Sequence, residues 1–263
     1  MTRLSDAFAR ARREGRAALV GYLPAGFPSV DGGIAALRAM LDGGADVVEI
    51  GLPYSDPLID GPTIQAAVER SLAAGTRIKD VLHTVEAVAA DGAAAVVMTY
   101  WNPVERYGVD RFARDLAAAG GAGVITPDLI PEEAGDWLVA VDAHGLDPVF
   151  LVAPSSTDER IDLVARTNRG FIYAASTMGV TGTREAVSDL APKLVARVKA
   201  ATDLPVAVGL GVSDADQAAE IAGYADGVVV GSAFVRRLLD GGGPDAVRDL
   251  AGRLAEGVRR PRR

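Results

Sequence analysis

The densest group of residues able to do chemistry is EIGLPYSDPLIDGPTIQ, from Glu49 to Gln65. It opens with a carboxylate at the end of an apolar run and carries another, Asp60, in the loop that follows. Side chains alternate along a strand, so Val47 and Glu49 share one face while Val48 and Ile50 share the other. If Val47 points into the fold, so does Glu49. A carboxyl placed there loses water, its pKa climbs toward the working pH, and it can both give and take a proton. Asp60 lies in a loop punctuated by Pro53, Pro57, Gly61 and Pro62. Such a loop has little conformational freedom and can hold an acid over a site. Taken alone, Asp60 reads equally well as a helix cap. Glu49 has the competing reading of an ion-paired buried acid, but the other strand runs place no Arg or Lys beside it. Asp56 reads as a turn cap or a partner contact rather than a chemical group.

Elimination narrows the chemistry further. Cysteine is absent, which excludes disulfides, thiol nucleophiles and thiolate metal sites. His83 falls in a helical stretch and His144 just before the fifth strand run, so no metal cluster is expected. Lys79, Lys193 and Lys199 all fall in helical patterns, whereas a Schiff base needs a desolvated lysine inside the site. There is no GxSxG elbow. Carboxylates and tyrosines remain. Tyr22, Tyr100 and Tyr173 close the first, third and sixth strand runs, and Tyr173 alternates with Phe171 and Ala175.

Three glycine-bearing segments come late in the chain: MGVTGTR (Met178 to Arg184), GLGVS (Gly209 to Ser213) and GSAFV (Gly231 to Val235). Singly each reads as a turn. Together, after consecutive strands of a barrel, they suit a phosphate held by backbone amides and a helix N-terminus. Gly211, Gly231 and Ser232 fit that role, and Gly182 can close over the same group. Leu210, Val229, Ile125 and Leu151 supply apolar walls that suit a flat ring in a substrate.

These residues need a scaffold, and the chain describes one. Apolar runs start near Ala17, Asp46, Ala95, Ala122, Pro148, Gly170, Pro205 and Asp226, each followed by a helical pattern. Each run is nearly continuous in Val, Ile, Leu and Ala, as strands buried on both faces should be. Eight alternating units without a linker predict an α/β fold of the (β/α)8 barrel type, with an open doubly wound sheet as the alternative. The spacings between starts are 29, 49, 27, 26, 22, 35 and 21 residues, so the units after strands 2 and 6 are enlarged. In barrels the loops after strands build the active site. An amphipathic helix precedes the first strand.

A chain of 263 residues suits one barrel domain, here residues 1–263. The net charge of −8 argues against a nucleic-acid partner. No stretch approaches a membrane span or a secretory h-region, so a cytoplasmic protein is expected.

The segment from Glu49 to Gln65 resembles the signature of the tryptophan synthase α subunit, usually E-x-G-x-P-[FY]-S-D-P-x-A-D-G-P-x-I-Q. The resemblance extends through GYLPAGFPS, MTYWNP, VITPD, YAASTMGVTGTR, GLGVS and GSAFV, and so covers nearly the whole chain. It implies cleavage of indole-3-glycerol phosphate to indole and glyceraldehyde 3-phosphate, a retro-aldol lyase step in tryptophan biosynthesis. Glu49 matches the general acid/base, Asp60 the carboxylate that accepts the indole N–H, and Tyr173 a tyrosine near the reacting carbons. Tyr22, Met98, Tyr100, Ile125, Leu151, Leu210 and Val229 match the substrate pocket. Gly182, Gly211, Gly231 and Ser232 match phosphate positions, and Thr181 the threonine that orients Asp60. The resemblance implies no cofactor in this chain. It implies a β-subunit partner that carries pyridoxal phosphate, an αββα heterotetramer and passage of indole to that partner. Pro53, Asp56 and Asn102 match the subunit interface. Ile59, Tyr22, Leu210 and Pro127 depart from the family's usual residues, and they bear on pocket shape and rate. Three other readings stay open: a free-standing indole-3-glycerol-phosphate lyase, a weakly active barrel that mainly activates the partner, and another phosphosugar barrel. The last, if an indole-glycerol phosphate synthase, would need an inward lysine that this chain lacks.

Overall fold

Eight of the chain's most apolar runs become parallel strands because each is flanked by short polar turns and followed by an amphipathic helix able to cover it. The computed structural model describes residues 3–175, 190–209 and 211–260. Its strands are β1 (Ala18–Pro24), β2 (Val47–Gly51), β3 (Ala94–Met98), β4 (Gly123–Ile125), β5 (Asp147–Val149), β6 (Leu151–Val152), β7 (Ile172–Ala175), β8 (Val206–Gly209) and β9 (Gly227–Val230). They form one sheet in the order β5-β4-β3-β2-β1-β9-β8-β7-β6, and every neighbouring pair is parallel. The two ends of that order, β5 and β6, are successive pieces of one run on either side of Phe150. The sheet therefore rolls up into a barrel of eight runs, and the open doubly wound alternative falls.

The join at Phe150 is held by a buried amide. Asn168 accepts from Phe150 N at 3.0 Å and donates to Phe171 O at 2.9 Å. These bonds tie the interrupted run to β7 while leaving no unpaired donor at the break.

Two apolar layers follow from strand alternation. Val48, Ile50, Val97 and Val124 pack outward under the helices. Val20, Val47, Val96, Val149, Ala207 and Val229 pack inward, in a cluster that also contains Leu4, Ala7, Phe8 and Ala11 of the helix Arg3–Arg13. That first helix is the floor of the barrel. Phe8 is 3% exposed and its ring lies 5.1 Å from Phe171. Truncating it to Ala should cost about 3–5 kcal/mol, the usual range for a buried aromatic.

The enlarged unit after β2 is only partly loop. It holds residues 52–61 and then two helices, Pro62–Ala73 and Ile78–Ala89, where a barrel unit ordinarily has one. In the enlarged unit after β7, residues 176–189 fall outside the described residues, and the helix Leu190–Ala201 follows. At the same end of the barrel, helix Ser232–Leu239 follows β9 directly and contacts Pro62–Ala73. Tyr100, expected at the end of the third strand, lies just past it, because β3 stops at Met98 and Tyr100 starts the helix Trp101–Tyr107.

Candidate active site

Glu49 is inward, as alternation with Val47 requires, and sits beside Tyr22 of β1 and Val96 of β3 in the sheet register. It is 1% exposed, and among the described residues its Oε2 has no hydrogen-bond partner. Burial, with Asp60 nearby adding negative charge, pushes its pKa up to about 8. At neutral pH the group is thus chiefly a neutral acid.

Asp60 reaches the same space from the loop after β2. Its Oδ1 accepts from the Tyr100 hydroxyl at 3.2 Å, and its carbonyl accepts from Gln65 Nε2 at 2.7 Å. Partial burial raises its pKa, while the Tyr100 bond opposes the rise. The helix that follows is capped by the Gly61 backbone with no side-chain bond, so Asp60 is not acting as the helix cap.

Two tyrosines fill gaps that glycines leave. A Cβ on Gly51 would stand 2.3 Å from the Tyr22 hydroxyl, and one on Gly209 would stand 2.5 Å from the Tyr173 hydroxyl. Both glycines occupy inward positions of their strands, so their missing side chains leave room for the rings at the barrel mouth. Burial and the nearby carboxylates raise both phenol pKa values well above the usual range, so both keep their protons.

These groups line a cavity of about 190 Å³ formed by Tyr22, Glu49, Ile59, Asp60, Ile64, Met98, Tyr173, Gly209, Gly211, Val229, Gly231 and Ser232. Its acid side is Glu49 and Asp60. Another part of its wall is the start of the helix Ser232–Leu239, where Phe234 and Val235 donate back to the Gly231 carbonyl and no side chain caps the end. The first amides of that helix are left for an anion. Gly211 adopts φ +60°, and an added Cβ there would meet nothing within 4 Å, so backbone borders open space. Among the described residues no Arg or Lys lines the cavity, and what they offer a phosphate is backbone amides and a helix dipole.

A larger cleft, about 610 Å³, opens at the other end of the barrel against the first helix. Its guanidinium groups are already engaged: Arg3 with the Ala89 carbonyl, Arg10 with Asp46, and Arg38 with Asp91. The chemistry lies in the smaller cavity, where the unpaired acid is.

The family model for the tryptophan synthase alpha chain matches residues 8–253. A tryptophan synthase alpha chain from Acidothermus cellulolyticus is 66% identical over 262 residues, covering 99% of this chain and 98% of that one. One from Nocardia farcinica is 63% identical over 258 residues, covering 98% and 96%. A crystal structure of tryptophan synthase from M. tuberculosis in an open form superposes with a TM-score of 0.92 at 56% identity, over 98% of this chain and 99% of that one.

The chain belongs to the tryptophan synthase alpha chain family.

The α reaction of this family is a lyase step in tryptophan biosynthesis that cleaves indole-3-glycerol phosphate, and the family partners with a β subunit. The barrel is that of the family's solved structures. Of the residues expected in an α-subunit site, Tyr22, Glu49, Asp60, Met98, Tyr173, Gly211, Val229, Gly231 and Ser232 meet around the one cavity. Ile125 and Leu151 belong to the apolar interior and do not line it. Tyr100 does not line it either, because its hydroxyl is turned to the Asp60 loop. Thr181, Gly182 and Leu210 lie outside the described residues.

The expected interface positions differ in setting. Asp56 and Asn102 are exposed, with Asp56 accepting from Ser55 Oγ at 2.5 Å and Asn102 donating to the Tyr54 hydroxyl at 3.0 Å. Pro53 is buried within the chain. Reading the residues alone missed Ile64 and Gly209 as lining residues. Ile64 carried a signal, an apolar residue in the first turn of a helix that starts straight after the Asp60 loop. Gly209 carried one too, a glycine at the end of a strand facing a tyrosine-bearing neighbour.

Proposed function

We propose that this chain is the α subunit of a tryptophan synthase in which Glu49 and Asp60 carry out the retro-aldol cleavage of indole-3-glycerol phosphate. The observation that carries the reading is a buried Glu49 carboxyl, its Oε2 without a hydrogen-bond partner among the described residues, sharing a small cavity with Asp60 and an uncapped helix N-terminus.

The phosphate sits on the amides at Gly231 and Ser232 beside Gly211, which leaves the indole ring among Ile59, Ile64, Met98 and Val229. The protonated Glu49 gives its proton to indole C3, and the ring becomes an iminium cation. Asp60, as the carboxylate, accepts the indole N–H and stabilises that charge. Glu49, now ionised, takes the proton from the glycerol hydroxyl on the carbon bonded to C3. The C–C bond breaks, its electron pair returns to the ring, and indole leaves with glyceraldehyde 3-phosphate. One proton is given and one taken, so Glu49 ends as it began. Tyr173 packs against the reacting carbons. Thr181 and Gly182 serve as orienting and phosphate positions, and Tyr22 and Leu210 as pocket walls.

The assembly is an αββα heterotetramer in the cytoplasm, with pyridoxal phosphate in the β subunit and none in this chain. Asp56 and Asn102, with Pro53 beneath them, contact the β subunit. The whole of residues 1–263 acts as one domain.

The test is direct. Purified chain is incubated with indole-3-glycerol phosphate, with and without a β subunit, and indole is measured. Indole release that the partner stimulates several-fold is expected. No release under either condition would overturn the reading, and full activity without a partner would favour a free-standing lyase.

A further inference from the structure

We infer that Tyr100 is a positioning residue for the proposed reaction: its hydroxyl holds Asp60 and the loop that carries it over the cavity, and it does not touch substrate. The inference rests on the proposed role of Asp60 and assigns Tyr100 a different task from the pocket wall that family resemblance implies.

A phenol hydroxyl has one proton to donate and two lone pairs to accept with. All three are used here. The hydroxyl accepts from Leu58 N at 3.0 Å and from Ile59 N at 3.1 Å, and it donates to Asp60 Oδ1 at 3.2 Å. Three consecutive residues of the loop therefore converge on one oxygen, which has no capacity left for a ligand.

The loop needs such a clasp. Leu58 is 71% and Ile59 51% exposed, so apolar burial does little to fix them. The helix behind Asp60 has no side-chain cap, and the only other side chain bonded to Asp60 among the described residues is Gln65.

The mount beneath the hydroxyl is rigid. Tyr100 is buried, and its ring packs 5.4 Å from that of Tyr54. On either side of it, Thr99 N donates to Ile125 O at 3.0 Å and Trp101 N donates to the Asp128 carboxylate at 2.9 Å. The clasp thus transmits the position of β4 to a loop that would otherwise be weakly held.

Tyr100 also affects ionisation. Among the described residues, the charged or titratable groups facing Asp60 are Glu49 on β2, Tyr22 on β1 and Tyr100 itself. Tyr100 is the group among them that holds the Asp60 pKa down, by donating to the carboxylate. Its own pKa is pushed up to about 12, so it remains a donor across the working range.

The experiment compares Tyr100→Phe, Asp60→Asn and the double variant in the full α–β complex. Tyr100→Phe keeps the ring and removes only the hydroxyl. It should lower kcat about 10- to 100-fold, as loss of a bond to a charged group does, with KM changed by less than about threefold. The acid limb of its kcat profile should move to higher pH. The double variant should be no slower than Asp60→Asn alone, because both act through one carboxylate. Hydrogen exchange at the Leu58 and Ile59 amides should accelerate in Tyr100→Phe. A raised KM with unchanged kcat, multiplicative losses in the double variant, or unchanged exchange at those two amides would overturn the inference. Normal turnover by Asp60→Asn would instead remove Asp60 from the proposed chemistry, and the exchange measurement would still decide whether the clasp exists.

Discussion

Asp46 directly precedes β2 and Glu49 lies three residues on, within it; both are buried, at 6% and 1% exposure. Asp46 lies at the floor of the barrel. Its two oxygens take a bidentate pair from Arg16 at 2.6 and 2.8 Å, and it also accepts from Leu19 N at 3.0 Å and Arg10 at 3.3 Å. Glu49 lies at the mouth, and among the described residues no cation lines its cavity and its Oε2 has no hydrogen-bond partner. Desolvation penalises both. At the floor it is offset by a fixed counter-charge, and the Arg16 pKa rises further above its already high range through the Asp46 bond. At the mouth nothing offsets it, so the proton stays on. A buried acid with a matched base holds structure together, whereas a buried acid without one is poised to exchange a proton.

The comparison can be broken in four places. Glu49→Gln should lower kcat by about 10³-fold or more, since the group that both gives and takes the proton is gone. Substrate binding should persist, and equilibrium binding of the substrate measured by titration calorimetry would check it. Asp46→Asn should do the reverse. It should cost about 3 kcal/mol of stability by leaving the Arg16 charge under-compensated, with kcat of the folded fraction near wild type; urea unfolding alongside steady-state kinetics reads both.

Asp60→Asn should lower kcat about 10²-fold, with the phosphate contacts kept and KM little changed. If kcat is unchanged, Asp60 is only a loop residue. The smallest effect is on the pH dependence of stability. Glu49 is raised from an ordinary value of 4.5 to about 8 in the fold. Between those values the folded state binds the extra proton, so wild-type stability falls as pH rises through that window and levels off above it. Glu49→Gln should flatten that fall by about 2–4 kcal/mol, and the buried amide it introduces shifts stability equally at every pH. Urea midpoints at pH 5.5 and 8.5 would test it, and equal slopes for both proteins would show that Glu49 is ionised at rest.

How much of this was legible in the sequence depends on the range of the interaction. Eight buried strands were readable because continuous apolar runs are a local signal. The inward aim of Glu49 was readable from its spacing to Val47, since strand alternation is also local. The absence of a buried partner followed from the lack of Arg or Lys in the other strand runs. The Tyr100 clasp was not readable, because it joins residues 40 to 42 positions apart through a side chain that also makes sense as pocket wall. The role of the first helix was hidden for a similar reason. Its amphipathic stripe shows that it packs, but not that it joins the inward-facing residues of the strands in one cluster. The extra helix inside the enlarged second unit was obscured because length alone does not separate loop from helix. The break at Phe150 depends on Asn168, which in sequence is an ordinary polar residue after a helix.

The floor helix has one further consequence. Leu4, Phe8 and Phe171 are buried in one apolar cluster with Val47, while Glu49 borders the cavity at the mouth. In the proposed reaction, a substrate seated in the cavity would stand between Glu49 and bulk water, and the proton taken from the glycerol hydroxyl would stay on the carboxyl until the products leave. The helix packed at the bottom of the barrel thus bears on when the acid at the top can exchange its hydrogen with the surroundings.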